Sequence, residues 1–263
     1  FMYINTGDIM RKDVTLTGGT TVTIFTGEEI NLAQFKQTLI ETLNEEVIVR
    51  RLQDVATGRQ IAILIESKVD YKLLQPELES ILGYVLNQEN SSVEMSGASL
   101  SESFYKQLLT ALIIAFILMA TVVLIMFRSI IPSLAVILAA ITDVLGALAI
   151  ANIFGFNLST AGIAALLMLI GYSVDTDIML TTKVIKRKGE GTVNSRIKSA
   201  FKTGLTMTLT SLTVMLSAYF VVQSPVLKQI FFILSAGLFI DLLATWFGNA
   251  SILKWYANKK KIH

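Results

Sequence analysis

Leu108 to Phe127 is a run of twenty residues without a charge. As a helix it would be about 30 Å long, the thickness of a bilayer hydrocarbon core. Four more apolar runs follow, at about 132–154, 159–181, 204–222 and 226–253. Arg128 to Pro132 forms a tight turn between the first two runs, with Pro132 suited to the first turn of a helix. Gly155-Phe156-Asn157 breaks the chain before the third run, and Ser224-Pro225 before the fifth. Residues 107–254 therefore read as a membrane all-α bundle of five spans, with a hydrophilic loop at 183–202 and a basic tail at 255–263. Composition agrees, since only 16% of the residues are charged, against about a quarter in soluble domains.

Residues 13–97 read as a separate α+β domain, joined to the bundle by a linker at 98–106. In Thr20 to Phe25, Val22 and Ile24 alternate with Thr21 and Thr23, the period of a half-buried strand. Asn31 with Gln34 predicts a helix start, and Leu32, Phe35, Leu39 and Leu43 follow at helical spacing. Val47–Val55 and Gln60–Glu66 read as a hairpin joined through Ala56-Thr57-Gly58. Asp70 can cap a second helix with the stripe Leu74, Leu78, Ile81, Leu82 and Val85, and Ser92–Met95 a last strand. The order β-α-β-β-α-β is the ferredoxin-like pattern. Such stripes are ordinary core faces.

Twelve lysines and arginines gather on one side of the five spans: Arg128, seven in the loop from Lys183 to Lys202, and Lys254, Lys259, Lys260 and Lys261. Positive loops stay inside, so that face and the C-terminus are expected to be cytoplasmic and residues 1–106 extracytoplasmic. The apolar Phe1-Met2-Tyr3-Ile4 is too short to span and reads, with residues up to 12, as the tail and linker of a sixth, N-terminal span. Cysteine is absent and the lone histidine is the last residue, so no disulfide, thiol chemistry or metal site is expected. There is no phosphate loop, no Gly-x-Ser-x-Gly and no nucleic-acid signature, and neither an enzyme nor a cofactor is expected.

Four of the twenty acidic residues lie inside spans: Asp143, Asp175, Asp177 and Asp241. A carboxylate at the bilayer centre costs roughly 2.5–3.5 kcal/mol on insertion scales, so such groups face a bundle interior or wet cavity and often mark ion pathways. A spacing of two residues turns a helix by about 200°, so Asp175 and Asp177 cannot share a face. Each acid can equally accept hydrogen bonds in a structural role. Thr206, Thr210, Thr213 and Ser217 form a hydroxyl stripe on the fourth run, below Lys202. That stripe suits helix packing or a hydrated proton path.

Several motifs resemble the SecF family of the SecD/SecF protein-export machinery. They are Thr17-Gly18-Gly19-Thr20 within Asp13 to Thr20, Asp143-Val144-Leu145, Gly171-Tyr172-Ser173-Val174-Asp175-Thr176-Asp177, and Thr210 to Thr213 after the basic loop. Their order and spacing are more specific than any one of them. Bacterial members read Asn-Asp where this chain has Asp175-Thr176, and Asp-Arg where it has Thr182-Lys183; the family's arginine at the next span most nearly matches Lys202. That pattern, and the small outer domain, look archaeal. The resemblance implies a multi-pass cell-membrane subunit resembling half of an RND-type transporter. Its implied partners are SecD, the SecYEG channel, exported polypeptides and membrane lipids, and it promotes export, in bacteria with the proton gradient. The resemblance places the intramembrane role on Asp175 or Asp177, and the residues read Asp175 as the leading proton carrier. The alternatives are an RND-like half exporting lipids or small hydrophobic molecules, and a scaffold in which no acid titrates.

Overall fold

The computed structural model describes residues 12–27, 30–45, 47–53, 59–187, 191–222 and 224–260. Residues 1–11 of the expected span tail and linker (1–12), the hairpin turn at Ala56-Thr57-Gly58, Lys188, Glu190, Lys261 and His263 lie outside them. The described chain divides into two units, 12–107 with 157–160, and the rest.

In the first unit Asp13 accepts from the Thr15 amide at 2.9 Å and starts a one-turn helix, α1 (Val14–Thr17), that the sequence reading did not contain. Gly18 and Gly19 then reverse the chain into β1 (Gly19–Phe25), with φ of 81° and 140°. Both values favour glycine. A Cβ at Gly19 would also lie 2.4 Å from the Ser67 carbonyl oxygen. Asn31 caps α2 (Leu32–Leu43), and β2 (Val47–Gln53) and β3 (Gln60–Ser67) follow. Asp70 caps α3 (Tyr71–Leu82) before β4 (Ser91–Ser96). The sheet is antiparallel in the order β2-β3-β1-β4, with Val22 opposite both Ile65 and Val93. Val22, Ile24, Ile63 and Ile65 pack with Phe35 and Leu39 of α2 and Leu74 and Leu78 of α3. Each large apolar side chain so buried contributes roughly 1.5–3 kcal/mol. Ala62, Leu64 and Glu66, on the opposite face of β3, are buried too.

The second unit is helical. Its spans are α4 (Ala98–Phe127, which begins in the first unit), α5 (Ile130–Ile153), α6 (Thr160–Thr181), α7 (Val193–Val221) and α8 (Pro225–Leu243). A π-helical turn, Thr182–Lys186, extends α6, and a second, Ala244–Asn249, joins α8 to α9 (Ala250–Lys259). Five helices among the described residues are long and apolar enough to cross a bilayer. The expected loop 183–202 is only partly a loop. Thr192 accepts from the Ser195 amide at 3.3 Å and starts α7 at Val193. Val193, Arg196, Ala200, Gly204 and Thr208, spaced by three or four residues, form its buried stripe, which an apolarity scan misses because Arg196 and polar neighbours interrupt it.

Glycines set the helix spacing. A Cβ at Gly146 of α5 would meet Ile240 of α8 at 2.8 Å, and one at Gly237 of α8 would meet Leu169 of α6 at 2.3 Å. Small residues of this kind let membrane helices approach closely enough for side chains to bond across them.

Candidate functional site

That close packing of α5, α6 and α8 brings three of the four intramembrane aspartates together. Asp143, Asp177 and Asp241 each have no exposed surface. Asp143 and Asp241 lie within hydrogen-bonding reach of each other, and Ser173 Oγ, one turn before Asp177, donates to Asp143. Thr245 Oγ1 sits between the other two acids, 2.9 Å from Asp177 Oδ1 and 3.1 Å from Asp241 Oδ1. Asn249 Nδ2 donates to Asp177 Oδ1 at 2.6 Å.

The local backbone explains how one segment supplies Asp241, Thr245 and Asn249. In an α-helix each step of four residues overshoots a full turn by about 40°. The π turn at Ala244–Asn249, with its wider i→i+5 turn, opposes that drift and keeps the three side chains on one face.

Ionised carboxylates only accept hydrogen bonds, so a carboxyl pair in hydrogen-bonding reach can share a proton. Asp143 Oδ1, Asp177 Oδ2 and Asp241 Oδ2 are buried without hydrogen-bond partners, and no ion pair reaches the cluster among the described residues. No three acidic, histidine or cysteine side chains among those residues converge as a metal-ligand set. What the arrangement can do chemically is hold and pass protons among three carboxyls, with Ser173, Thr245 and Asn249 orienting them.

Asp175 is not part of this cluster. It is exposed on the opposite side of α6, on a face shared with Met168 and Tyr172, as a 200° separation from Asp177 requires. Gly171 and Tyr172 of the Gly-Tyr-Ser-Val element are exposed as well, whereas Ser173 is buried in the cluster. Lys202 and the threonine stripe are also apart from the acids. Thr206, Thr210 and Thr213 return their hydroxyls to the carbonyls of Lys202, Thr206 and Leu209 at 2.7–2.8 Å. Lys202, Thr206 and Thr210 line an open groove of about 610 Å³ along α7. Thr17 to Thr20 belong to the turn from α1 into β1, where Thr20 Oγ1 donates to the Val69 carbonyl at 2.8 Å. Sequence reasoning missed Thr245 and Asn249. The signal was there: Asp241, Thr245 and Asn249 are polar residues spaced by four in an otherwise apolar run.

Comparison with known proteins follows the same outline. The family model for the C-terminal part of the protein export membrane protein SecD/SecF matches residues 78–259. The protein-export membrane protein SecF of Methanocaldococcus jannaschii is 39% identical over 251 residues, covering 93% of this chain and 86% of that protein. SecF of Pyrococcus furiosus is 34% identical, covering 98% and 85%. Among solved structures, SecDF, a translocon-associated membrane protein from Thermus thermophilus, superposes with a TM-score of 0.77 over 94% of this chain at 19% identity, a likeness of fold. The chain spans about a third of that longer protein, 34% of its length. A matching family model over most of the chain, and two relatives aligned nearly end to end, mean that the chain belongs to the SecF family of protein-export membrane proteins.

Proposed function

We propose that the protein is a Sec-type export subunit that works with SecD beside the SecYEG channel, and that Asp143, Asp177 and Asp241 form its proton-exchange site. One observation carries the second half: three carboxyls with no exposed surface share hydroxyl and amide donors and have no cation among the described residues. Buried intramembrane acids persist when they carry protons or ions. Moving one charge through 100 mV supplies about 2.3 kcal/mol, enough to bias two arrangements of the helices. Asp177, Ser173 and Asn249 take the place in this reading that the sequence alone assigned to Asp175. The order β-α-β-β-α-β and the sheet order β2-β3-β1-β4 support a ferredoxin-like outer domain. The distribution of lysine and arginine supports a cytoplasmic C-terminus and an extracytoplasmic domain before α4. In this reading export substrates are polypeptides handled on the outer side, and the exposed Asp175 face is open to a partner helix.

The test is reporter export in vesicles carrying SecD and SecYEG, with an imposed proton gradient. Asp177→Asn preserves shape and most hydrogen bonding but cannot ionise, and is expected to abolish gradient-dependent stimulation while leaving membrane insertion and SecD copurification intact. Asp175→Asn is expected to have the smaller effect. Full stimulation in Asp177→Asn would sink the proton-exchange reading, and failure to copurify SecD with wild type would sink the partnership.

A further inference from the structure

Within the helical unit a groove of about 470 Å³ opens where the start of α7 meets the π turn at Ala244–Asn249 and the start of α9. Ile197, Phe201 and Leu205 line it from α7, and Leu242, Trp246 and Phe247 from the end of α8 and the π turn. Gly204 makes room for its aromatic wall, since a Cβ there would lie 2.6 Å from Trp246 Cζ2. Phe201 meets the indole edge to face, with ring centroids 5.0 Å apart. Phe247 stays 75% exposed beside them.

The two ends of the groove differ in chemistry. Leu205 and Leu242 lie furthest from the basic ends of their helices, whereas Asn194 and Lys198 stand at the basic end of α7. From Leu205 to Lys198 is about 10 Å along the helix axis. Ala250 lines the groove from α9, and Lys254 follows it by four residues, on the same side of that helix one turn further out. Both lysines are exposed, and neither has a hydrogen-bond or ion-pair partner among the described residues. Nor do these helices offer one: between Gly191 and His263 the only acidic residue is Asp241, enclosed with the other acids. Next to Lys254, Trp255 is half exposed, an amphipathic ring of the kind that settles at headgroup depth.

We propose that this groove seats one acyl chain of an anionic phospholipid, whose headgroup phosphate is taken by Lys198 and Lys254. The match is one of polarity and depth: apolar walls below, two lysines without a protein anion above, and a tryptophan marking the level between. Basic pockets between membrane helices hold anionic headgroups in this way. A zwitterionic headgroup brings its own cation and gains less from the lysines. The site is separate from the groove lined by Lys202, Thr206 and Thr210, which at 100° per residue lies on roughly the opposite side of α7. The assignment goes beyond the export reading and stands whether or not the acids exchange protons.

The test is fluorescence quenching of the intact chain in phosphatidylcholine nanodiscs that contain a small share of lipid brominated at mid-chain. Trp255→Phe leaves Trp246, in the groove wall, as the only tryptophan. Brominated phosphatidylglycerol is expected to occupy the site at least about threefold more strongly than brominated phosphatidylcholine at the same share, as two lysines near the surface allow. Lys198→Gln with Lys254→Gln is expected to abolish that preference, and both substitutions are of exposed side chains that the fold does not use. Lys202→Gln, which removes a charge from the other side of α7, is expected to keep it. Inorganic phosphate added at constant ionic strength is expected to leave the quenching unchanged. Equal quenching by the two lipids, or a preference that survives the double substitution, overturns the site. A preference lost equally in Lys202→Gln would show diffuse surface charge instead, and displacement by inorganic phosphate would show a free-anion site; either result overturns the phospholipid assignment.

Discussion

Asn249 Nδ2 lies 2.6 Å from Asp177 Oδ1, joining the fifth span to the third across 72 residues of sequence. Neither side chain is accessible from outside the bundle, with exposures of 1% and 0%. The bond is therefore made out of reach of competing water. Its loss leaves a buried group unsatisfied.

Removing that donor should be felt mainly in stability. Asn249→Leu should destabilise the bundle by about 1–3 kcal/mol, the usual penalty for a buried polar group left without its partner. Asn249→Gln, which keeps an amide, should recover part of it. Thermal unfolding in detergent, followed by tryptophan fluorescence, measures the difference. Equal midpoints for Asn249→Leu and wild type would show that Asp177 is held by Thr245 alone.

A second prediction concerns acidity in the α+β unit. In it Thr15 Oγ1 caps the Thr160 amide at 3.1 Å and donates to Asp13 Oδ1. Burial pushes the Asp13 carboxyl from its ordinary value near 3.8 up to about 6; the Thr15 hydroxyl opposes the rise, neighbouring Glu66 adds to it and Arg50 opposes it. Burial also raises Glu66, against Arg50 and the Asn157 side chain. A raised folded-state value means that the native state binds the proton more tightly. The stabilisation is then full below about 3.8 and is lost as pH rises through about 6. Protection of the 157–162 amides, corrected for intrinsic exchange, should be greater at pH 4.5 than at pH 7.5, and Asp13→Asn should flatten most of that difference. Protection that rises with pH in wild type would reverse the sign and refute the account.

Gly237 offers a steric test. Gly237→Ala places a methyl within 2.3–2.4 Å of both Leu169 terminal carbons, and overpacking of this kind typically costs about 1–3 kcal/mol. Leu169→Ala in the same chain should relieve part of the penalty, because the two sites share one contact. Melting temperatures of the four proteins form the cycle. Strict additivity would mean that the helices separate freely at this point.

The sequence by itself determined most of the elements. Charge-free runs of bilayer length can only be satisfied as spanning helices. Asn31 and Asp70 cap the helices predicted for them, and alternation in Thr20–Phe25 predicts the buried face of β1. A two-residue spacing already separates Asp175 from Asp177 by about 200°. Which of them turns inward was not legible, since that depends on how α6 is rotated against α5 and α8. The close approaches at Gly146 and Gly237, which no local pattern encodes, lock α8 against its neighbours. Thr245 and Asn249 become partners of Asp177 only after a π turn holds them on one face. Arg196 hid the start of α7 from any search for apolarity, because its guanidinium is buried by donating to the Arg187 carbonyl at 3.0 Å. The Thr15–Thr160 cap joins residues 145 positions apart. Local propensity acts over a few residues, whereas the cap and the three-carboxyl cluster exist only where packing brings distant segments together, and so the tertiary structure alone decided them.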